Sequence, residues 1–233
     1  MTTTTVKPTP TPSKKVLPKP TKGPTSAPKD KPPAPTPTRT QTSNCPTYEG
    51  TAAAKSDVKA ALLAAGARQY WVGVVPPSNL TVPLPVITIP ANLMKAIAWQ
   101  ESGWQSNIVA CDYGTGTMQL MAGTAQQVNG RFGEDYDMKT LSGNTTLGAM
   151  YLEWLIMWFG TNFYSQHFDL DTEAALGPNG EPVRLLDAVI ASYNVGPGTI
   201  ANDTTKVITF NQKGSDYRYN VLALMQNCPC SIY

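Results

Sequence analysis

Charge is scarce in this sequence. Only 15% of its 233 residues are Asp, Glu, Lys or Arg, and the formal net charge is +2, too little for a generally basic nucleic-acid binder. Histidine occurs once, at His167, and the four cysteines include no Cys-x-x-Cys pair. A zinc site would therefore lack ligands, and neither a metal nor an organic cofactor is expected. Four cysteines in this length also exclude a small disulfide-dominated scaffold. Long apolar runs are missing too. The nearest candidate, Leu147 to Phe159, has 13 residues and contains Glu153, short of the ~20 that cross a bilayer as a helix. The N-terminus shows no apolar stretch of the secretory kind.

Aromatic residues are absent from residues 1–44, while the rest of the chain holds all 20. What the first 44 residues do contain is 11 prolines, 12 threonines and eight basic side chains against the single acid Asp30, a charge of +7. The remainder carries −5. A Pro/Thr/Lys stretch without large apolar side chains cannot bury enough surface to offset ordering entropy. Residues 1–44 are therefore expected to be a disordered linker or tail, a plain spacer ahead of the alternative, a segment that spans a cell wall or carries glycans, and 45–233 a single folded domain.

The even cysteine count favours an oxidising, extracytoplasmic location. Cys228 and Cys230 look too close to pair comfortably, so each is expected to meet one of Cys45 and Cys111. Helical spacing predicts helices over 51–66, from Asn92 to Gly103, over 147–159, 185–193 and 215–226, with Thr124 capping a short helix through Val128. The run 73–90, with five prolines, cannot be a regular helix. Val86 to Ile89 suits a short extended piece, and 160–182, with Gly-Pro-Asn-Gly-Glu-Pro at its end, reads as an excursion. The fold class is mainly α with at most a small β element.

Glu101 draws attention first. Leu93, Met94, Ile97 and Ala98 share its helical face, so an inward carboxyl would stand in dry surroundings. Its charged form would be disfavoured and the acid could hold a proton near neutrality. A solvated glutamate at a helix end is the plain alternative. Three further segments follow in order: Gly116 to Ala125, with Gln119 between Met118 and Leu120; Asn144 to Leu152; and Ser192 to Gly198, with Tyr193 and Asn194 at a helix end.

Taken together with Gln100-Glu101-Ser102-Gly103-Trp104, these segments resemble the lysozyme-like lytic transglycosylase domain of the soluble (SLT) type, over roughly residues 90–225. Departures are mild. Thr117 stands for the usual Leu, Ala122-Gly123 for Met-Pro, Thr145-Thr146 for the Ile-containing step, and Val195 for Ala. The resemblance implies a goose-type lysozyme/SLT fold and cleavage of the β-1,4 bond between N-acetylmuramic acid and N-acetylglucosamine in peptidoglycan glycan strands. A 1,6-anhydromuramoyl product is implied, with Glu101 as general acid and then base. It also implies that Gln119 bonds the sugar, Met118 lines the subsite, and Tyr193 stands near Glu101 to hold the acid or the substrate. Ser102 and Asn194 are candidates for substrate contact or for purely structural roles, and Trp104 for core packing rather than sugar stacking.

A monomer without nucleic-acid or transmembrane partners is expected. Two other readings remain open. One is a goose-type-like muramidase, which needs a second carboxylate from Asp112, Glu134, Asp135 or Asp137. The other is a wall-binding module without activity.

Overall fold

A computed structural model describes residues 44–233. The expected tail, apart from its last residue, lies outside the described residues. The elements run β1 (Thr47–Tyr48), α1 (Lys55–Gly66), α2 (Ala91–Ser102), β2 (Ile108–Val109), α3 (Ala122–Phe132) and α4 (Leu141–Phe163). They continue with β3 (Ala175–Leu176), β4 (Pro182–Val183), α5 (Leu185–Val195), α6 (Pro197–Ile200), β5 (Ala201–Asn202), β6 (Val207–Ile208) and α7 (Gln212–Gln226). The architecture is mainly α, as the sequence predicts. The β content is confined to an antiparallel β1–β2 pair and a four-stranded sheet of order β4-β3-β6-β5.

Helix α4 is the centre. Twenty of its 23 residues are buried, and α1, α3 and α5 pack around it. Leu147, Met150, Leu152, Leu155 and Ile156 are fully buried, each contributing roughly 1.5–3 kcal/mol. Its start lies six residues before the predicted one. Thr140 caps it, accepting from the Gly143 N–H at 3.0 Å. The polar first turns are buried because they are satisfied internally: Asn144 bonds three backbone groups, and the Thr145 hydroxyl donates back to the Leu141 carbonyl. Glu153, on the same helix, is fully buried and accepts from the Tyr70 N–H at 3.1 Å. Burial pushes its carboxyl up to about 8, against the opposing pull of the Tyr70 and Trp71 backbone.

Two expectations need correction. Thr124 does not cap a short helix: α3 begins at Ala122 behind Met121 and runs to Phe132, closed by left-handed Gly133. Thr124 sits inside its first turn, because the backbone from Ala122 onward already has helical hydrogen bonds such as Ala125 N–H to the Met121 carbonyl. The cysteines also pair differently, as Cys45–Cys111 and Cys228–Cys230. In the β1–β2 ladder Thr47 faces Val109, so the same antiparallel register carried two residues outward sets Cys45 against Cys111. Cys228 precedes the closing 3₁₀ turn Pro229–Ile232, which brings its Cα within 5.0 Å of that of Cys230, inside normal bridging range.

The other elements follow the sequence closely. Gly103 ends α2 with φ 57°, and Asn211 caps the start of α7, its side chain accepting from the Gly214 N–H. The 73–90 segment is not helical; Ile87 and Ile89 are buried, but Val86 to Ile89 joins no ladder among the described residues. The 160–182 excursion first continues α4 to Phe163, then forms the β3–β4 hairpin, with β3 parallel to β6.

Candidate active site

Glu101 occupies the last turn of α2. The apolar face beneath it (Leu93, Met94, Ile97 and Ala98) is fully buried and anchors the helix. Gly103 then reverses the chain, and the Ser102 hydroxyl donates to the Thr117 carbonyl at 2.8 Å. That bond fastens the end of α2 to the hairpin that follows. Trp104 is fully buried, its indole N–H donating to the Lys95 carbonyl at 3.2 Å, so its role is core packing.

The carboxyl of Glu101 is held from across the molecule. Tyr217, on α7, donates its hydroxyl to Glu101 Oε1 at 2.5 Å. Burial pushes the Glu101 carboxyl up to about 7. The Tyr217 bond opposes that rise, the charge of Asp112 adds to it, and Lys213 opposes it. Dehydration wins, so a large fraction of the acid keeps its proton at neutral pH. Tyr217 and Tyr193 are themselves pushed far above the ordinary phenol value, by burial first and by Glu101 second. Both stay as neutral donors.

The hairpin between β2 and α3 forms the neighbouring wall. Gly116 adopts φ 72°, and a β-carbon there would stand 2.7 Å from Asn144 Nδ2; glycine lets the turn rest on α4. Asn144 locks it, accepting from the Met118 N–H at 2.8 Å and donating to the Thr115 and Met138 carbonyls at 2.9 Å. Gln119, at φ 47°, donates its side-chain amide to the Gly116 carbonyl at 2.7 Å. Asp112 is exposed, with Oδ1 accepting from the Gly114 N–H at 3.2 Å.

Several anticipated residues therefore cluster here, with altered parts. Met118 is fully buried, its side chain packed on Gly148 of α4, so it supports the hairpin from below and does not line an open subsite. The Tyr193 hydroxyl donates to the Met118 carbonyl at 2.9 Å; the phenol on the acid is that of Tyr217. Asn194 has a buried Oδ1 with no protein partner among the described residues. Glu134, Asp135 and Asp137 are exposed in the α3–α4 connection, and of the four acids weighed, Asp112 is the one whose charge reaches Glu101. No cluster of three or more ligating side chains occurs among the described residues.

Sequence reasoning missed Tyr217 and Asn144. A legible signal for the first was the Gly214, Tyr217, Val221 stripe at i, i+3, i+7, which is the buried face of α7. For the second, an asparagine at the head of an otherwise apolar helix called for a partner in the core.

The sequence model of a family described as the Transglycosylase SLT domain matches residues 87–214, more than half of the chain. No curated protein matches the sequence. Among solved structures it is similar to the lytic transglycosylase Slt of Pseudomonas aeruginosa, in an inactive mutant form. There the identity is 23%, over 60% of this chain and 22% of that chain, with a TM-score of 0.41. It is also similar to the 70 kDa soluble lytic transglycosylase of Escherichia coli. The identity is 26%, over 60% of this chain and 21% of that chain, with a TM-score of 0.40. The chain spans about a fifth of the length of each of these proteins.

Proposed function

This chain belongs to the Transglycosylase SLT domain family, and from that premise we propose that it is a peptidoglycan lytic transglycosylase whose general acid is Glu101. The bond cleaved is the β-1,4 link between N-acetylmuramic acid and N-acetylglucosamine. Glu101 gives its proton to the glycosidic oxygen as the C1–O bond breaks. The carboxylate so formed accepts the proton of the muramoyl C6 hydroxyl, whose oxygen bonds C1 and closes the 1,6-anhydro ring. The N-acetyl oxygen of the substrate stabilises the cationic centre, which is why a single protein carboxylate suffices.

The observation that carries this reading is the Glu101 carboxyl held near pH 7 by burial while Tyr217 fixes its orientation. An acid with that proton affinity is charged and discharged with equal ease at neutral pH, and general acid–base help of this kind is worth ~10²–10⁴ in rate. Gln119 and Asn194 are the side chains proposed to meet the sugar. The hydroxyls of Ser102 and Tyr193 act through the backbone of the wall they brace. Two disulfides and a wall-polymer substrate fit an extracytoplasmic site of action.

The test is digestion of purified peptidoglycan by wild-type protein and by Glu101→Gln, with mass spectrometry of the products. Anhydromuropeptides from the wild type and at least a hundredfold loss in the variant are expected. Equal clearing by the two proteins would remove Glu101 from the chemistry, and no clearing by either would leave a binding module.

A further inference from the structure

The chain divides sharply by charge. Residues 1–44 hold seven lysines and Arg39 against Asp30, a net +7, whereas residues 45–233 carry −5. The family match begins at residue 87, so the basic segment is no part of what that family shares. Within the folded part, most basic side chains are already engaged. Lys139 and Lys206 pair with Glu49 and Asp203, and Arg184 and Arg218 with Asp187. Lys55 and Lys59 donate to the backbone oxygens of Gly103 and Tyr233. An anionic polymer approaching this molecule is therefore attracted to the N-terminal segment and repelled by the rest.

The structure fixes where that segment joins the domain. Cys45 is bonded to Cys111, Thr47 and Tyr48 pair with Val109 and Ile108, and the Glu49 N–H donates to the Asn107 carbonyl at 2.8 Å. The Gly116 N–H donates to the Ile108 carbonyl at 2.8 Å, so the strand that holds the junction also supports the hairpin tied to the end of α2 through Ser102. A chain reaches at most ~3.6 Å per residue, which lets basic groups between residues 7 and 39 meet anions up to roughly 130 Å from the junction. Their binding does not compete with a glycan in the Glu101 site.

We propose that residues 1–44 are an electrostatic anchor for a linear phosphodiester polymer of the cell wall, holding the Glu101 site on its insoluble substrate. The inference rests on the peptidoglycan reading given above. A phosphodiester stays charged at any pH the protein meets and recurs along one chain. Several lysines therefore engage together, each raising the effective concentration of the next. The carboxylates of peptidoglycan stem peptides are the competing anions, but they sit on short branches beside amines and offer fewer simultaneous contacts. Nucleic acid, the other phosphodiester polymer, fits poorly with a wall-cleaving domain closed by two disulfides. If about four of the basic groups engage, log K falls with log salt at a slope near −3, a loss of roughly fiftyfold between about 50 and 200 mM salt.

The experiment is cosedimentation of the full chain with cell walls bearing poly(glycerol phosphate), and with the same walls after hydrofluoric acid has removed that polymer. Glu101→Gln is carried throughout so that the matrix stays intact. Binding to the first walls is expected to weaken with salt as above, and to be at least tenfold weaker on the stripped walls. Lys→Gln at 7, 14, 15, 19, 22, 29 and 31 combined with Arg39→Gln should cost at least tenfold, while Lys→Arg at the same seven positions should cost nothing. Equal binding by the Gln variant and its parent, or binding indifferent to salt, overturns the inference. Undiminished binding to stripped walls overturns it too, and assigns the anions to stem-peptide carboxylates. Cleavage is read separately, on soluble glycan fragments without phosphodiester, where the Gln variant with Glu101 intact should match the wild type. Failure of the wild type to release anhydromuropeptides from those fragments overturns the transglycosylase reading, whatever the binding result.

Discussion

Replacing Tyr217 by Phe removes one hydroxyl and keeps the ring that fills the space between α7 and α2. The lost contact is the 2.5 Å bond to Glu101 Oε1, which favours the ionised acid. A hydrogen bond to a charged group is worth ~1.5–3 kcal/mol, and one pKa unit corresponds to ~1.4 kcal/mol. The Glu101 carboxyl, already pushed up to about 7, should therefore rise by about one to two further units in Tyr217→Phe. The sign matters for the assay. In the proposed role Glu101 works as an acid only while protonated, so activity falls as pH rises through its pKa, and a higher pKa moves that fall to higher pH. Measured as kcat/KM for anhydromuropeptide release between pH 5 and 10, the alkaline limb should shift upward by about one unit or more. The plateau should also drop, by roughly tenfold for each 1.4 kcal/mol of lost alignment. An alkaline limb that stays in place or moves to lower pH would refute the reasoning.

Glu153 offers a prediction about stability. Its folded-state carboxyl is raised to about 8 from 4.5, so between those values the folded protein binds more protons than the unfolded chain. Stability is then fully present below about pH 4.5 and declines as pH rises through 8. Glu153→Gln, which keeps an acceptor for the Tyr70 N–H, should flatten that decline in thermal melts from pH 5 to 9; a variant that declines as steeply as the wild type would contradict this. The disulfides should differ sharply in worth. Cys45–Cys111 closes a loop with a sequence separation of 66, for which chain entropy gives about 4 kcal/mol, whereas Cys228–Cys230 spans two residues and constrains little. Serine pairs at 45/111 should lower Tm by roughly 8–16 °C and at 228/230 by far less, as calorimetry would show.

The helices were legible where an apolar stripe met a glycine stop. The runs into Gly103 and Gly196 are examples, with α2 and α5 ending as the glycines dictate. The Glu101 carboxyl was legible for the same reason, since Leu93, Met94, Ile97 and Ala98 put it on the dry face. What stayed hidden depends on partners distant in sequence. Tyr217 lies 116 residues from Glu101, and no local pattern says which of several tyrosines the fold delivers to the acid. The head of α4 was unreadable because Asn144 and Thr145 are poor helix formers there, acceptable only through bonds made to the hairpin and the preceding turn. Met118 illustrates a further limit. Its place in the motif was clear, but its burial against Gly148 follows from how closely hairpin and helix approach. Spacing along the chain does not fix the partner of Cys45, whereas register in a two-residue ladder does.

The most direct test of the account is the titration of Glu101 itself. Carbon-13 NMR of the side-chain carboxyl, assigned by comparison with Glu101→Gln, should show an inflection near pH 7, displaced upward in Tyr217→Phe. An inflection near 4.5, the value of a freely solvated glutamate, would contradict the account: Glu101 would then have no proton to give a departing sugar at neutral pH.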